Sequence, residues 1–465
     1  MRFFSSRGSS RSRGVALPLC GTGVVLLLGL LGGCSSDNGQ ATDGDAGTTV
    51  DSSVGDSGIG IDGAQTDGGI QLDSSSPDTS GGGDSSATGD AGNADAPYAF
   101  DGFAHPDGYS EASYCLDDDN DGFTTCAGDC NDHDSLVNPC AFDTSSATDP
   151  VGHDGIDNDC DGTVDNLRVC DQNIAASGHD TIAAHYAWAA DICDNVDPRC
   201  KTIVDARFYG PNNTTAHRVT KHMGTIFVPK KGQYMAFLST GIADDDTDTP
   251  SYRTGDGTDL MNTFTHPSPL AAAQNTNPCG SGQDETPIAI HDYTELRLTL
   301  KAPSNAGSFT FDFNFFSEEY PVYVCQGFND TFLAMLTSQQ YAQPFQIAFD
   351  PQGHRVNVNN SFFQDCTSVT VGQYGYNHTC TGALSLLNKT GYEIPYAGSG
   401  LTNGNGNLGS GATDWLKTTA PIKPGETFTL SFIVFDEHDG ILDSAVILDN
   451  FRWNSTTLGS PVTGR

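Results

Sequence analysis

Aspartates recur at alternate positions twice in one short stretch, and that spacing gathers carboxylates on a single hard cation. The first run is Asp117-Asp118-Asp119-Asn120-Asp121-Gly122-Phe123, and the second is Asp157-Asn158-Asp159-Cys160-Asp161-Gly162-Thr163-Val164-Asp165. In each, glycine stands at the sixth place, where a calcium loop turns sharply, and the seventh residue (Phe123 in the first run) offers a backbone carbonyl. The twelfth places hold Gly128 and Arg168 instead of a bidentate glutamate, so neither run is an EF-hand. Asp129, Asp132 and Asp134 are the expected complement of the first run, and Asp154 leads into the second. The alternative is a solvated acidic run, but two carboxylates about 5 Å apart at an effective dielectric near 20 repel by roughly 3 kcal/mol. A cation removes that cost. Ligands that are numerous and all oxygen favour calcium over magnesium and manganese.

Taken in order, the stretch resembles the aspartate-rich metal-binding motif of bacterial surface proteins over about fifty residues: DxDxDG, then DCNDxD, the Asn138-Pro139 turn, and DGIDNDCDGTVD. It departs after Pro139-Cys140-Ala141, where a longer insert runs to about Gly152.

A second acidic set lies far downstream. Glu318, Glu319, Asn329, Asp330, Asp436, Asp439, Asp443 and Asp449 fall at expected strand ends beside aromatic residues. They fit a second metal or ligand site, or else ordinary turn chemistry in which Asp and Asn side chains bind nearby amides. The segments that hold them resemble the choice-of-anchor L family. The resemblance rests on Phe313-Asn314-Phe315-Phe316-Ser317-Glu318-Glu319-Tyr320-Pro321, on Gly327-Phe328-Asn329-Asp330-Thr331-Phe332, and on Phe435 to Phe451. Ser239-Thr240-Gly241 and Pro424-Gly425-Glu426-Thr427 fall in the expected order around them. The resemblance implies a bacterial surface or secreted β-rich domain without catalytic residues. Val322 to Gln326 departs from it, and Cys325 there suggests a stapled loop.

No HExxH, G-x-S-x-G, P-loop or dinucleotide fingerprint occurs. A pair such as Glu318 with Asp436 would serve a polysaccharide hydrolase if two carboxylates converged in a cleft. That is the alternative to a non-enzymatic binding protein. Few histidines and no methionine cluster argue against capture of a transition metal.

The elements that must position these residues are legible from periodicity. His179 to Asp194 carries Ile182, Tyr186, Ala189 or Ala190 and Cys193 at helical spacing, predicting one amphipathic helix, on which His179 and His185 are read as packing or surface residues. From there the period is two: Leu296, Leu298 and Leu300; Phe309, Phe311, Phe313 and Phe315; Val356 and Val358; Phe428, Leu430, Phe432 and Val434. Residues 168–455 are therefore expected to form a mainly β fold, an antiparallel β-sandwich of jelly-roll or lectin-like type, with long loops at 242–290 and 372–414.

Ahead of it stand a small disulfide-rich metal-binding module (113–166), an acidic Gly/Ser/Asp tether (34–100) and a leader (1–33). The leader has Arg2, Arg7, Arg11 and Arg13, an apolar run from Val15 to Leu31, and Leu31-Gly32-Gly33-Cys34, the form of a lipoprotein signal peptide. Cys34 is the expected lipidation site and membrane anchor, and Ser35 after it favours the outer membrane or cell surface. The tether lacks the large apolar side chains needed to offset chain entropy, so it is expected to be disordered, with a span of about 40–50 Å.

Losing the four leader arginines takes the formal charge from −38 to −42, which disfavours nucleic acid as a partner and leaves an extracellular glycan or surface protein. Twelve cysteines remain after Cys20 and Cys34, an even number in an exported chain, which favours disulfides of undetermined pairing.

Overall fold

The computed structural model describes residues 115–210, 214–245, 263–264, 279, 290–326, 328–366, 368–370, 377–392 and 410–465. The leader, Cys34 and the tether lie outside the described residues, as does much of both long loops. Phe100–Arg465 form one compact unit.

After a short helix, α1 (Ala183–Ala189), come β1 (Ile203–Tyr209), β2 (His217–Thr220), β3 (Met235–Ser239), β4 (Thr263–Phe264), β5 (Ile290–Lys301) and β6 (Ser308–Ser317). Then follow β7 (Thr331–Thr337), β8 (Phe345–Gln346), β9 (Val356–Asn357), β10 (Val369–Thr370) and β11 (Asn377–His378). The chain closes with β12 (Gly411–Ala412), β13 (Leu416–Pro421), β14 (Thr427–Glu437), β15 (Ser444–Asn454) and β16 (Val462–Gly464). Two seven-stranded sheets result. One runs β1-β5-β14-β7-β8, with β4 on β5 and β9 on β7; the other runs β16-β13-β6-β15-β3-β2, with β12 on β6. The pairings are antiparallel. This is the mainly β, two-sheet fold that the period of two predicts.

The alternating phenylalanines of β6 close the space between the sheets. Phe309 stacks on Phe428 at 5.5 Å, Phe311 meets Phe432 edge-on at 5.0 Å, and Phe313 lies 4.8 Å from Phe332. Burying such side chains stabilises the fold by about 1.5–3 kcal/mol each. The opposite face of β6 is covered as well: Met223, Phe227, Leu387 and Tyr392, from loops, pack over Phe316, Phe237 and Ile447. Val356 and Val358 are buried as expected, although the strand there is only Val356–Asn357.

The helix is shorter than the His179–Asp194 stripe predicts. At its start the Asp180 side chain accepts the Ile182 amide at 2.8 Å, and at its end Asp191 turns to φ 69, a left-handed conformation that no helix continues. Ile182 is left exposed and Cys193 falls beyond the helix, in a disulfide with Cys170. Tyr186 does the anchoring. Its ring meets Phe208 edge-on, its hydroxyl donates to the Asp180 carbonyl at 2.9 Å, and that hydroxyl lies 2.8 Å from Nδ1 of His217. His179 and His185 each pair with one aspartate, Asp244 and Asp180 respectively.

Burial, with a smaller contribution from His179, pushes His217 down to about 4. The fold thus favours the neutral ring, and the unfolded chain takes up the proton first. This contribution is complete above pH 6.5 and is lost as pH falls towards 4, by about 3 kcal/mol for a shift of this size. His217→Gln should therefore narrow its stability gap from the parent by about that amount between pH 7 and 4, read by urea unfolding at each pH.

Candidate cation sites

The two aspartate runs fold alike. In the first, the amides of Asp121 and Gly122 donate to Asp117 at 3.1 and 3.0 Å, and the Phe123 amide donates to Asp121 at 2.8 Å. In the second, Asp161 and Gly162 donate to Asp157 at 3.1 and 2.8 Å, and Thr163 donates to Asp161 at 2.9 Å. Asn120 and Cys160 take positive φ at the fourth place, and Gly122 and Gly162 at the sixth (96° and 92°). Glycine is needed there because a Cβ strains that backbone. The disulfide Cys130–Cys160 joins the first half of the module to the second loop.

In the first loop one oxygen each of Asp117, Asp119 and Asp121 lie within 4.8 Å of one another. Oδ2 of Asp119, of Asp121 and of Asp129 is buried without a hydrogen-bond partner. Burial pushes Asp121 and Asp129 upward; Asp119 and Asp117 add to the shift in Asp121, and Asp121, Asp119 and Asp132 add to that in Asp129. The Asn138 side chain bonds to Asp121, and the remaining buried acceptors, lying close to one another, fit a hard cation held by oxygen. The other expected ligands sit differently. Asp132 accepts the Asp118 amide at 3.4 Å, and Asp134 and Asp154 cap the local turns at Leu136 and Ile156. The Phe123 ring lies under the Arg199 guanidinium.

The second loop draws its third carboxylate from the insert. Asp143 joins Asp157 and Asp159 within 4.8 Å. Burial pushes Asp143 up to about 7, with Asp159 and Asp157 adding to it, and its Oδ2 has no partner. Asp161 turns instead to Arg168 (3.2 Å) and Asn166 (2.8 Å), and Arg168 also reaches Asp159 at 3.3 Å. The residue at the twelfth place is thus an internal cation. Asp165 accepts the Gly155 amide at 3.1 Å. Asp143 had no signature in the sequence beyond lying in an insert.

The downstream acids come together at one end of the sandwich. Glu318 and Glu319 follow β6, Asn329 and Asp330 lead into β7, Asp436 lies beyond a bulge in β14, and Asp443 leads into β15. Asp439 stands at the rim, and Asn329 accepts from the Asn359 amide. Asp449 is apart from them, against the Lys230 amide and Asp191. Spacing did not reveal the neighbours: Asp292 from β5, Glu437 held by Arg355 at 2.7 Å, and Gly241, where a Cβ would stand 2.0 Å from the Asp443 carboxylate.

Residues 238–452 match the family model described as the Choice-of-anchor L domain. Over this segment the chain is similar to the choice-of-anchor L family. The match begins within β3, so α1, β1 and β2 precede it, while all of Glu318 to Asp443 lies inside. A solved structure described as TmCBM61 in complex with beta-1,4-galactotriose aligns over 54% of this chain and 89% of that one, at 11% identity and a TM-score of 0.21. That superposition is too loose to transfer a ligand. No curated protein sequence matches the chain.

All twelve cysteines pair. Besides Cys130–Cys160 and Cys170–Cys193 the bonds are Cys115–Cys126, Cys140–Cys200, Cys279–Cys325 and Cys366–Cys380. Cys325 does staple its loop, within the matched segment. Removing the internal cation of the second loop tests the electrostatic reading: Arg168→Gln should cost about 2 kcal/mol in chelator, as hydrogen bonds to charged groups do. Added calcium should recover part of that loss, read by denaturant unfolding.

Proposed function

We propose that this chain is a lipid-anchored bacterial surface protein that binds calcium through its aspartate-rich module and presents its β-sandwich for adhesion or glycan recognition. The convergence of Asp117, Asp119 and Asp121, with a buried Asp119 oxygen that no donor meets, carries the reading. The choice-of-anchor L match and the lipobox at Leu31–Cys34 support a surface location. No helix among the described residues is long and apolar enough to cross a membrane; in this reading the anchor is the lipid on Cys34.

The module is also built to stiffen the base of the sandwich. Cys140 is bonded to Cys200, Phe142 enters the main core, and Asn305 brackets Phe142 with bonds of 2.9 and 3.0 Å. Order imposed by calcium on the loops therefore reaches the head directly. Polysaccharide hydrolysis is the weaker reading, because Glu318 and Asp436 are 4% and 1% exposed and a polymer has no path between them.

Free calcium at a hundred times its dissociation constant should stabilise the full chain by about 2.7 kcal/mol per site. The triple variant Asp117→Asn/Asp119→Asn/Asp121→Asn should lose the first loop's share in a thermal-melt titration. An unchanged melt with and without chelator, in a chain from which metal analysis finds no calcium, would remove the reading. Separately, Cys34→Ala should move the protein from the membrane pellet to the soluble fraction.

A further inference from the structure

We propose that the second aspartate loop and the insert together hold one divalent cation, with Asp143, Asp157 and Asp159 as ligands, and that the turn between β5 and β6 of the sandwich, acting through Asn305, sets how tightly it binds. The proposal rests on the reading of the module as a calcium-binding element. It adds to that reading a ligand and a control point outside the aspartate runs.

One oxygen each of Asp143, Asp157 and Asp159 lie within 4.8 Å of one another. Asp157 is held by its own loop, where it accepts the amides of Asp161 and Gly162 at 3.1 and 2.8 Å. Asp159 accepts the Asp161 amide at 3.3 Å and the Arg168 guanidinium at 3.3 Å. Asp143 is met less fully. It is 7% exposed, and Arg168, the base of this loop, goes to Asp159 and Asp161. Oδ1 of Asp143 accepts the Asn158 amide at 2.9 Å, and the Asn158 side chain, turned so that both its ends are satisfied, donates to the same oxygen at 3.0 Å. Oδ2 is buried and meets no donor. A buried carboxylate oxygen in that state costs free energy unless a cation meets it, and carboxylates so close together supply the hard oxygen set that calcium takes. A cleft lined by Phe142, Asp143, Asp159, Arg168, Lys231 and Trp453 reaches two of the three carboxylates and gives an ion its way in.

The sandwich positions the ligand that comes from the insert. Phe142, immediately before Asp143, is buried in the main core. Asn305, buried in the turn between β5 and β6, accepts the Phe142 amide at 2.9 Å and donates to the Phe142 carbonyl at 3.0 Å. That carbonyl belongs to the peptide unit shared with Asp143, so the second bond orients Asp143 directly. Beside it the Ser304 amide donates to the Cys140 carbonyl at 2.9 Å. The far end of the insert is tied by Ser455 to Asp149, and Gly152 closes it, where a Cβ would stand 2.8 Å from the Phe142 ring.

Ion binding and docking of the insert are then linked. If affinity for the ion depends on the insert being docked, the ion favours the docked insert by the same factor. Calcium at this loop is a clasp between module and sandwich, and Asn305 is a positioning residue for it.

Calcium titration calorimetry on the full chain, with metal analysis after dialysis, tests this in the Asp117→Asn/Asp119→Asn/Asp121→Asn background, where the first loop is silent. That background should keep the second loop's ion. Adding Asp143→Asn should abolish its binding, and adding Asn305→Ala should raise its dissociation constant about tenfold, as loss of a partner behind a ligand does. Placed alone in the parent, Asn305→Ala should leave the first loop's ion at parental affinity, which a general loss of structure would not do. Binding unchanged by Asp143→Asn would overturn the site, and affinity unchanged by Asn305→Ala would overturn the coupling. Should Asn305→Ala fail to fold, Ser455→Ala, which removes one of the two bonds to Asp149, takes its place in the same titration. A parent that binds no calcium would remove the module reading and this proposal with it; a parent that binds, with Asp143→Asn indistinguishable from it, would remove this proposal alone.

Discussion

The constraint on which this protein depends is the repulsion between carboxylates that its own disulfides and sheets force together. At about 3 kcal/mol per close pair, a few uncompensated pairs equal the net stability of a domain. The chain answers this locally wherever it has a base to spend. Arg218 holds Asp245 at 2.9 Å, Lys230 holds Asp312 at 2.9 Å, Arg355 holds Glu437, and Arg168 spans Asp159 and Asp161. Lysine and arginine together number 21 against 59 acids, so some clusters must be left over. Those left over are the places where oxygens converge without donors.

The two loops of the module show the same backbone solution applied twice with different electrostatics. Both use the first aspartate to tie down the fifth and sixth amides, which fixes the turn from within the loop. In the first loop Asp117, Asp119 and Asp121 converge and Asp129 feels the charge of the last two, and in the second Arg168 takes up part of the charge while Asp143 adds more. The first consequently has less of its charge met by the chain's own bases.

The module and sandwich are mechanically continuous. Beyond the Cys140–Cys200 disulfide and Phe142, the Asp149 carboxylate accepts from both the amide and the hydroxyl of Ser455 at 2.8 and 2.6 Å, tying the insert to the end of β15. These bonds hold Asp149 below its usual range despite its burial. The insert that interrupts the repeat thus has a structural reason: it reaches the sandwich and delivers Asp143 to the second loop.

Local spacing determined much of this by itself. A period of two along β6 and β14 requires strands with one apolar face, alternate aspartates before glycine set a tight acidic turn, and an even cysteine set favours pairing. Each follows from contacts within a few residues, where geometry is set by the backbone alone. Spacing could not say which aspartates would face one another. Asp134 and Asp154 have the right type but are spent on turns, while Asp143, Asp292 and Gly241 gained their roles only when distant segments met. The helix likewise stopped short because Asp191 turned left-handed as the Asn450 amide bonded to it at 3.1 Å, a contact across 259 positions. Cys140 bonded to Cys200, and Asp330 was brought beside Glu319, for the same reason: alternation tells a side chain which face to occupy, and only sheet order and register decide what stands opposite.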